Sequence, residues 1–259
     1  MAESQFIDFI IIGAQKGGTT AAAYNLNKHP DISVFSGITE FRQYEIEFFN
    51  QHWECGIEWY REQVPKFGIR GEKTAELLHR TICHERIFQT APQVKLVVLL
   101  RNPVERAYSQ WKMAHYNKKD EQLTFEEVIN SEINQLNNQV YIEEFYQLKE
   151  NQKSCWREGY LLKGFYSDQL QSLFRFFPKE QIYIGISERI GKDKENGYND
   201  IFAFLHARPY RDQFEDRFVG KTAAPMISKI ERQLKEIYSK PNENLFNLLG
   251  YEIEEWKND

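Results

Sequence analysis

Residues 13–20 hold the densest chemistry in the chain: Gly13-Ala14-Gln15-Lys16-Gly17-Gly18-Thr19-Thr20. Glycines let a turn gather backbone N–H groups, and a helix beginning at that turn adds its positive end. The pattern therefore suits a bound phosphate or a similar anion. The Gly13-x-x-x-x-Gly18 spacing is that of a nucleotide-binding P-loop, but Thr19 stands where such loops carry lysine. The lysine is displaced into the turn, at Lys16. An NTPase needs its lysine on the β/γ-phosphates and a hydroxyl on Mg²⁺, so this loop is expected to hold some other phosphate. Two competing readings stay open on these residues: a P-loop kinase acting on a nucleotide or small metabolite, and a nucleotide-binding module without catalysis. The threonine at the lysine position weighs against the kinase, as does the lack of an acidic residue for Mg²⁺ at the end of residues 96–100.

The elements that must position this turn are legible around it. Phe6-Ile7-Asp8-Phe9-Ile10-Ile11-Ile12 is a short β-branched run that suits a strand buried on both faces. Residues 21–28 favour a helix. Further strands are expected at 32–35, 67–74, 94–100 and 181–186. Helical spacing covers 53–60, 81–89, 104–116, 159–177, 199–206, 227–238 and 243–249. Residues 120–150 are acidic and helix-prone, without chemistry that can be named. Alternating strands and helices predict an α/β fold: a single P-loop-like domain over 1–259, its central parallel sheet flanked by helices, with ligands at the carboxyl ends of the strands.

Composition narrows the class further. The 259 residues carry 33 Lys and Arg against 38 Asp and Glu, a formal charge of −5 that argues against a general nucleic-acid or heparin-type polyanion binder. Cys55, Cys83 and Cys155 are odd in number and lack metal-ligand spacing, so they read as reduced thiols of a cytoplasmic chain. Residues 1–5 do not resemble a signal peptide. No run approaches the roughly 20 apolar residues that cross a bilayer. The six histidines show no paired spacing, and no metal site is expected.

Three ordered motifs resemble the sulfotransferases that use 3′-phosphoadenosine 5′-phosphosulfate (PAPS). The turn at 13–20 is similar to that family's 5′-phosphosulfate loop. Leu99-Leu100-Arg101-Asn102-Pro103-Val104-Glu105-Arg106-Ala107-Tyr108-Ser109 resembles its 3′-phosphate motif, and Gly164-Phe165-Tyr166 a third element. Glu45-Ile46-Glu47-Phe48-Phe49, then Gly56 and Trp59-Tyr60, look like the glycan (heparan-type) and related bacterial branch.

The resemblance implies roles for particular residues. Glu45 becomes the catalytic base, with Glu40 and Glu47 as competitors, and Lys73 of Glu72-Lys73-Thr74 reaches the sulfuryl region. Lys16 neutralises charge on the departing 5′-phosphate, with Gln15, Gly17, Gly18, Thr19 and Thr20 around it. Arg101 takes the 3′-phosphate through its planar fork. Ser109 lies about two helical turns, ~12 Å, further along the axis. Tyr166 lies near the donor. Lys221, in an imperfect version of the family's basic loop, is a further contact. The implied donor is PAPS and the product adenosine 3′,5′-bisphosphate (PAP), with no metal. The implied partner is a small-molecule or glycan acceptor with a hydroxyl; composition adds no nucleic acid and no transmembrane segment, and overall acidity favours a neutral sugar, lipid or polyketide-type alcohol.

Overall fold

The computed structural model describes residues 5–35, 45–117, 121–146, 158–216 and 225–257. Five strands, β1 (Phe9–Gly13), β2 (Ile32–Val34), β3 (Ile69–Lys73), β4 (Lys95–Leu100) and β5 (Ile182–Ile186), form one sheet in the order β2-β3-β1-β4-β5. Every pairing is parallel. The helices are α1 (Thr19–Leu26), α2 (Phe48–Gln51), α3 (Gly56–Gln63), α4 (Thr81–Thr90), α5 (Pro103–Lys112), α6 (Phe125–Gln135), α7 (Gln139–Tyr146), α8 (Tyr166–Leu173), α9 (Ser187–Lys192), α10 (Lys194–Phe204) and α11 (Ser228–Leu249).

The period-2 alternation of a strand explains why both faces of the sheet are covered. Ile10 and Ile12 of β1, with Leu96, Val98 and Leu100 of β4, point into one core beside α4 and α8. Phe9, Ile11, Val97 and Leu99 point into the other, against α1 and α10. β1, and β4 from Leu96 to Leu100, are apolar throughout because neither face of these strands meets water, whereas β3 carries Arg70, Glu72 and Lys73. A third cluster joins α5, α6 and α11 through Tyr108, Trp111, Ile129, Leu234 and Tyr238.

The expected α/β parallel-sheet architecture is present, and the differences lie in the helices. Residues 227–238 and 243–249 are not separate helices but parts of α11, which runs through Pro241. Its buried face, Ile230, Leu234, Tyr238 and Leu245, continues across the proline, and that burial offsets the backbone bond proline cannot make. The apolar spacing over 159–177 does not form one long helix either: a 3₁₀ turn at Leu162–Gly164 precedes α8.

The turn after β1 depends on two glycines for different reasons. A Cβ at Gly17 would lie 2.2 Å from the Leu99 carbonyl oxygen and 2.9 Å from that of Ala14, both backbone atoms that cannot swing away. Gly18 has φ +83° with open space around it. Gly17→Ala should therefore cost about 3 kcal/mol through overpacking. Gly18→Ala should cost only about 1–2 kcal/mol, the penalty of a left-handed residue. Urea denaturation of both variants checks the ranking, and equal costs would contradict it.

Candidate active site

At the carboxyl end of β1 the chain turns tightly. Ala14 N–H donates to the Leu99 carbonyl (2.9 Å) and Gly17 N–H to that of Ala14 (2.8 Å). Ser187, where β5 meets α9, braces the turn by donating its hydroxyl to the Gly17 carbonyl (2.6 Å). Gly18 stands at the N-cap of α1 with no side chain, so the first-turn N–H groups of α1 receive no side-chain cap. Thr19 is buried and Thr20 half-buried beside them.

Lys16 is half-buried with a left-handed backbone, φ 69°. Its ammonium lies 3.6 Å from the Met113 thioether, a weak acceptor. Burial pulls its pKa down to about 8, and the positive charges of Arg101, Lys112, Lys73 and Arg106 pull in the same direction. Like charges are thus gathered around a turn at a helix start, an arrangement that a bound anion would stabilise. Met113 arrives because α5 passes into a π-helical turn, Met113–Asn117, a feature common at functional sites.

Arg101 follows the last residue of β4. Its guanidinium reaches the Lys16 carbonyl (3.5 Å) and Glu105 (3.5 Å); the latter is a half-exposed i,i+4 pair, worth little. Asn102 caps α5 by accepting from the N–H groups of Val104 and Glu105, with Pro103 in the first turn. Ser109 is half-buried on α5. Tyr166 is fully buried and donates its hydroxyl to the Arg101 carbonyl (2.8 Å), so it braces the arginine from behind. Burial raises the Tyr166 pKa and keeps the phenol neutral.

The carboxyl end of β3 supplies the other half of the site. Lys73, 3% exposed, donates to Glu45 Oε1 (2.6 Å) and Thr20 Oγ1 (3.2 Å). The Ala75 N–H donates to the same Glu45 oxygen (3.3 Å). One ammonium therefore joins a carboxylate to the start of α1. Of the competing carboxylates, Glu47 is buried at the residue before α2, makes no side-chain cap bond, and accepts from Gln51 of that helix (2.9 Å), whereas Glu40 lies outside the described residues.

Lys16, Thr20, Lys73, Glu45 and Arg101 are thus brought to one edge of the sheet. Gln15 is turned inward instead: its amide donates to Glu76 (3.2 Å) and accepts from Lys163 (3.1 Å). Lys221 lies outside the described residues. Sequence motifs alone do not single out Lys163, Met113 or Ser187. Lys163 directly precedes Gly164-Phe165-Tyr166, and Met113 is one helical turn beyond Ser109; residue pattern carries no other hint of them. Burial lowers the Lys163 pKa to about 8, opposed by the charge of Glu76. Among the described residues no group of three or more His, Cys, Asp or Glu could hold a metal ion, and no helix is long and apolar enough to cross a membrane.

Comparison with known proteins gives the family of the chain. A family model described as "Sulfotransferase domain" matches residues 6–224. The chain is 27% identical to the membrane-associated sulfotransferase kil1 of Dictyostelium discoideum, over 97% of this chain and 66% of that protein. It is 29% identical to the bifunctional heparan sulfate N-deacetylase/N-sulfotransferase 2 of Homo sapiens, over 78% of this chain and only 22% of that protein. Among solved structures, a sulfotransferase from Alicyclobacillus acidocaldarius shares the fold, with a TM-score of 0.71 at 24% identity over 97% of this chain and 99% of that one. The family match takes in β1 through β5 and the described residues of the site, and the chain belongs to the sulfotransferase-domain family.

Proposed function

We propose that this chain is a PAPS-dependent sulfotransferase. It moves the sulfuryl group from PAPS to a hydroxyl of a carbohydrate, lipid or other small-molecule acceptor, releases PAP, and uses Glu45 as general base. One observation carries the reading: Lys73 joins the Glu45 carboxylate (2.6 Å) to Thr20 at the helix start (3.2 Å), so a proton acceptor stands beside an anion cradle. The similarity to a heparan sulfate N-sulfotransferase supports a glycan among the acceptors.

In this reading the 5′ end of the donor lies over the turn, among the first N–H groups of α1 and the Thr19 and Thr20 hydroxyls. The 3′-phosphate meets Arg101 and Ser109. The acceptor oxygen bonds to sulfur as the bond from sulfur to the 5′-phosphate oxygen breaks. Glu45 takes the hydroxyl proton, and the leaving phosphate keeps the electron pair, neutralised by Lys16. Lys73 holds the carboxylate in place and adds positive charge beside the moving group. Tyr166 and Gln15 act one layer back, on the backbone of Arg101 and on the turn.

Binding and turnover can be separated. PAP should stabilise the protein against heat by about 2.7 kcal/mol at a hundredfold excess over Kd. ATP with Mg²⁺ should give no comparable shift, and the reverse pattern would favour a kinase. Transfer from labelled PAPS, screened over neutral sugars, lipid alcohols and phenols, should fall about 10²–10⁴-fold in Glu45→Gln while PAP still binds. Turnover unchanged in that variant would remove Glu45 from the role.

The Lys16 environment gives a pH signature. With its pKa near 8, the free enzyme loses this positive charge as pH rises through 8. PAP favours the charged form, so binding near pH 8 to 9 should take up a proton and affinity should weaken above that range. Calorimetry in two buffers of different ionisation enthalpy measures the uptake. Lys16→Met should abolish it, and identical proton uptake in wild type and variant would contradict the assignment.

A further inference from the structure

Behind the Lys73–Glu45 contact lies a second carboxylate. Glu72, on β3 one residue before Lys73, is fully buried. Its Oε2 accepts from the Thr74 hydroxyl (2.8 Å) and its Oε1 from the Tyr60 hydroxyl (3.4 Å). The Ile46 N–H also faces it. The Thr74 oxygen in turn accepts from the Glu47 N–H (3.3 Å). Residues 72–75, at the end of β3 and just beyond it, thus grip three consecutive residues ahead of α2. Glu45 is held by Lys73 and the Ala75 N–H, Ile46 by Glu72, and Glu47 by Thr74. From the other side Tyr60 stacks on Phe48, with ring centroids 4.6 Å apart and planes 7° from parallel.

The directions of these bonds restrict what can occupy position 72. The Thr74 hydroxyl has one proton, and because its oxygen accepts from Glu47 that proton must find an acceptor elsewhere. An ionised Glu72 is an acceptor at both oxygens and meets Thr74, Tyr60 and Ile46 together. Burying it is expensive, since its neighbour Lys73 is spent on Glu45 and Thr20. A buried charge kept at such a cost next to a proposed catalytic base points to a role in function.

We propose that Glu72 is a positioning residue whose carboxylate, acting through Thr74, Ile46 and Tyr60, sets the 45–47 strap so that Glu45 faces the acceptor hydroxyl. The inference rests on the assignment of Glu45 as base. The charged or titratable groups facing Glu72 are Glu45, Lys73 and Tyr60. Burial pushes Glu72 up to about 7, helped by the charge of Glu45 and opposed by the Thr74 hydroxyl, the Ile46 N–H and Lys73. Burial also raises the Tyr60 pKa, so the phenol stays a donor. A carboxyl with a raised pKa in the folded state costs stability as pH rises from its ordinary value to about 7. Its removal should therefore harm turnover and spare the fold.

The test compares Glu72→Gln, Thr74→Val and Thr74→Ser with wild type, using labelled PAPS and the best acceptor from the screen. Amide hydrogen exchange of residues 45–49 in the PAP complex serves as a readout that needs no acceptor. Glu72→Gln and Thr74→Val should lose about 10²-fold in kcat, keep KM for PAPS, and exchange the Ile46 and Glu47 amides faster. Thr74→Ser, which retains the hydroxyl, should behave as wild type. Glu72→Gln should unfold at the same or a higher temperature at pH 8, and its rate profile should lack the acidic limb near pH 7 that wild type is expected to show. Unchanged kcat and exchange in Glu72→Gln overturn the inference, as does a joint fall of kcat and unfolding temperature. A Glu45→Gln enzyme with full turnover would remove the base assignment alone, and the exchange data would still show whether Glu72 holds the strap.

Discussion

One ammonium group holds the two halves of the site together. Lys73 extends from the end of β3 and reaches both a carboxylate on the strap before α2 and a hydroxyl at the first turn of α1. Its side chain and that of Glu45 are 4% and 9% exposed, so the pair is shielded from solvent screening. Removing one member of such a pair strands the other as a buried charge, typically at about 3–5 kcal/mol. A contact of this kind restricts geometry more than it adds stability: it fixes the Glu45 carboxylate relative to the start of α1.

Sheet order makes that contact possible. β1 lies between β3 and β4, so in a parallel sheet the turn after β1 is flanked by the segments that leave those two strands. β3 delivers Lys73 on one side and β4 delivers Arg101 on the other. Charges from three chain-distant segments meet where the strands end, the usual binding edge of an open parallel sheet. Burial first, and then the repulsion of these charges, lowers the pKa of Lys16. The positive site is thus a local concentration within a chain of formal charge −5.

Much of this was legible from residues alone. The apolar runs around Ile10 and Val97 are short and rich in β-branched residues, as buried strands are, and the Gly13–Thr20 turn is readable from three glycines and a lysine between a strand and a helix. The two carboxylates at 45 and 47 are alike as residues, the resemblance favours Glu45, and the fold separates them: Glu47 accepts from Gln51 of α2 while Glu45 meets Lys73. Less legible was which side chains point forward. Gln15 stands in the turn, yet its amide is spent inward on Glu76 and Lys163, a choice set by partners 61 and 148 residues away. Tyr166 likewise serves Arg101 from behind. Pro241 looks like a stop in sequence, but a buried stripe carries α11 through it. Local pattern reveals elements; side-chain direction depends on distant neighbours.

The most direct measurement is a crystal structure of the protein with adenosine 3′,5′-bisphosphate bound. The 5′-phosphate should lie within hydrogen-bonding distance of Lys16 and the first N–H groups of α1, and the 3′-phosphate on Arg101 and Ser109. Open space for an acceptor should remain between the 5′-phosphate and Glu45. A bisphosphate bound away from Lys16 and Arg101, or reversed so that its 3′-phosphate fills the turn, would contradict the assignment.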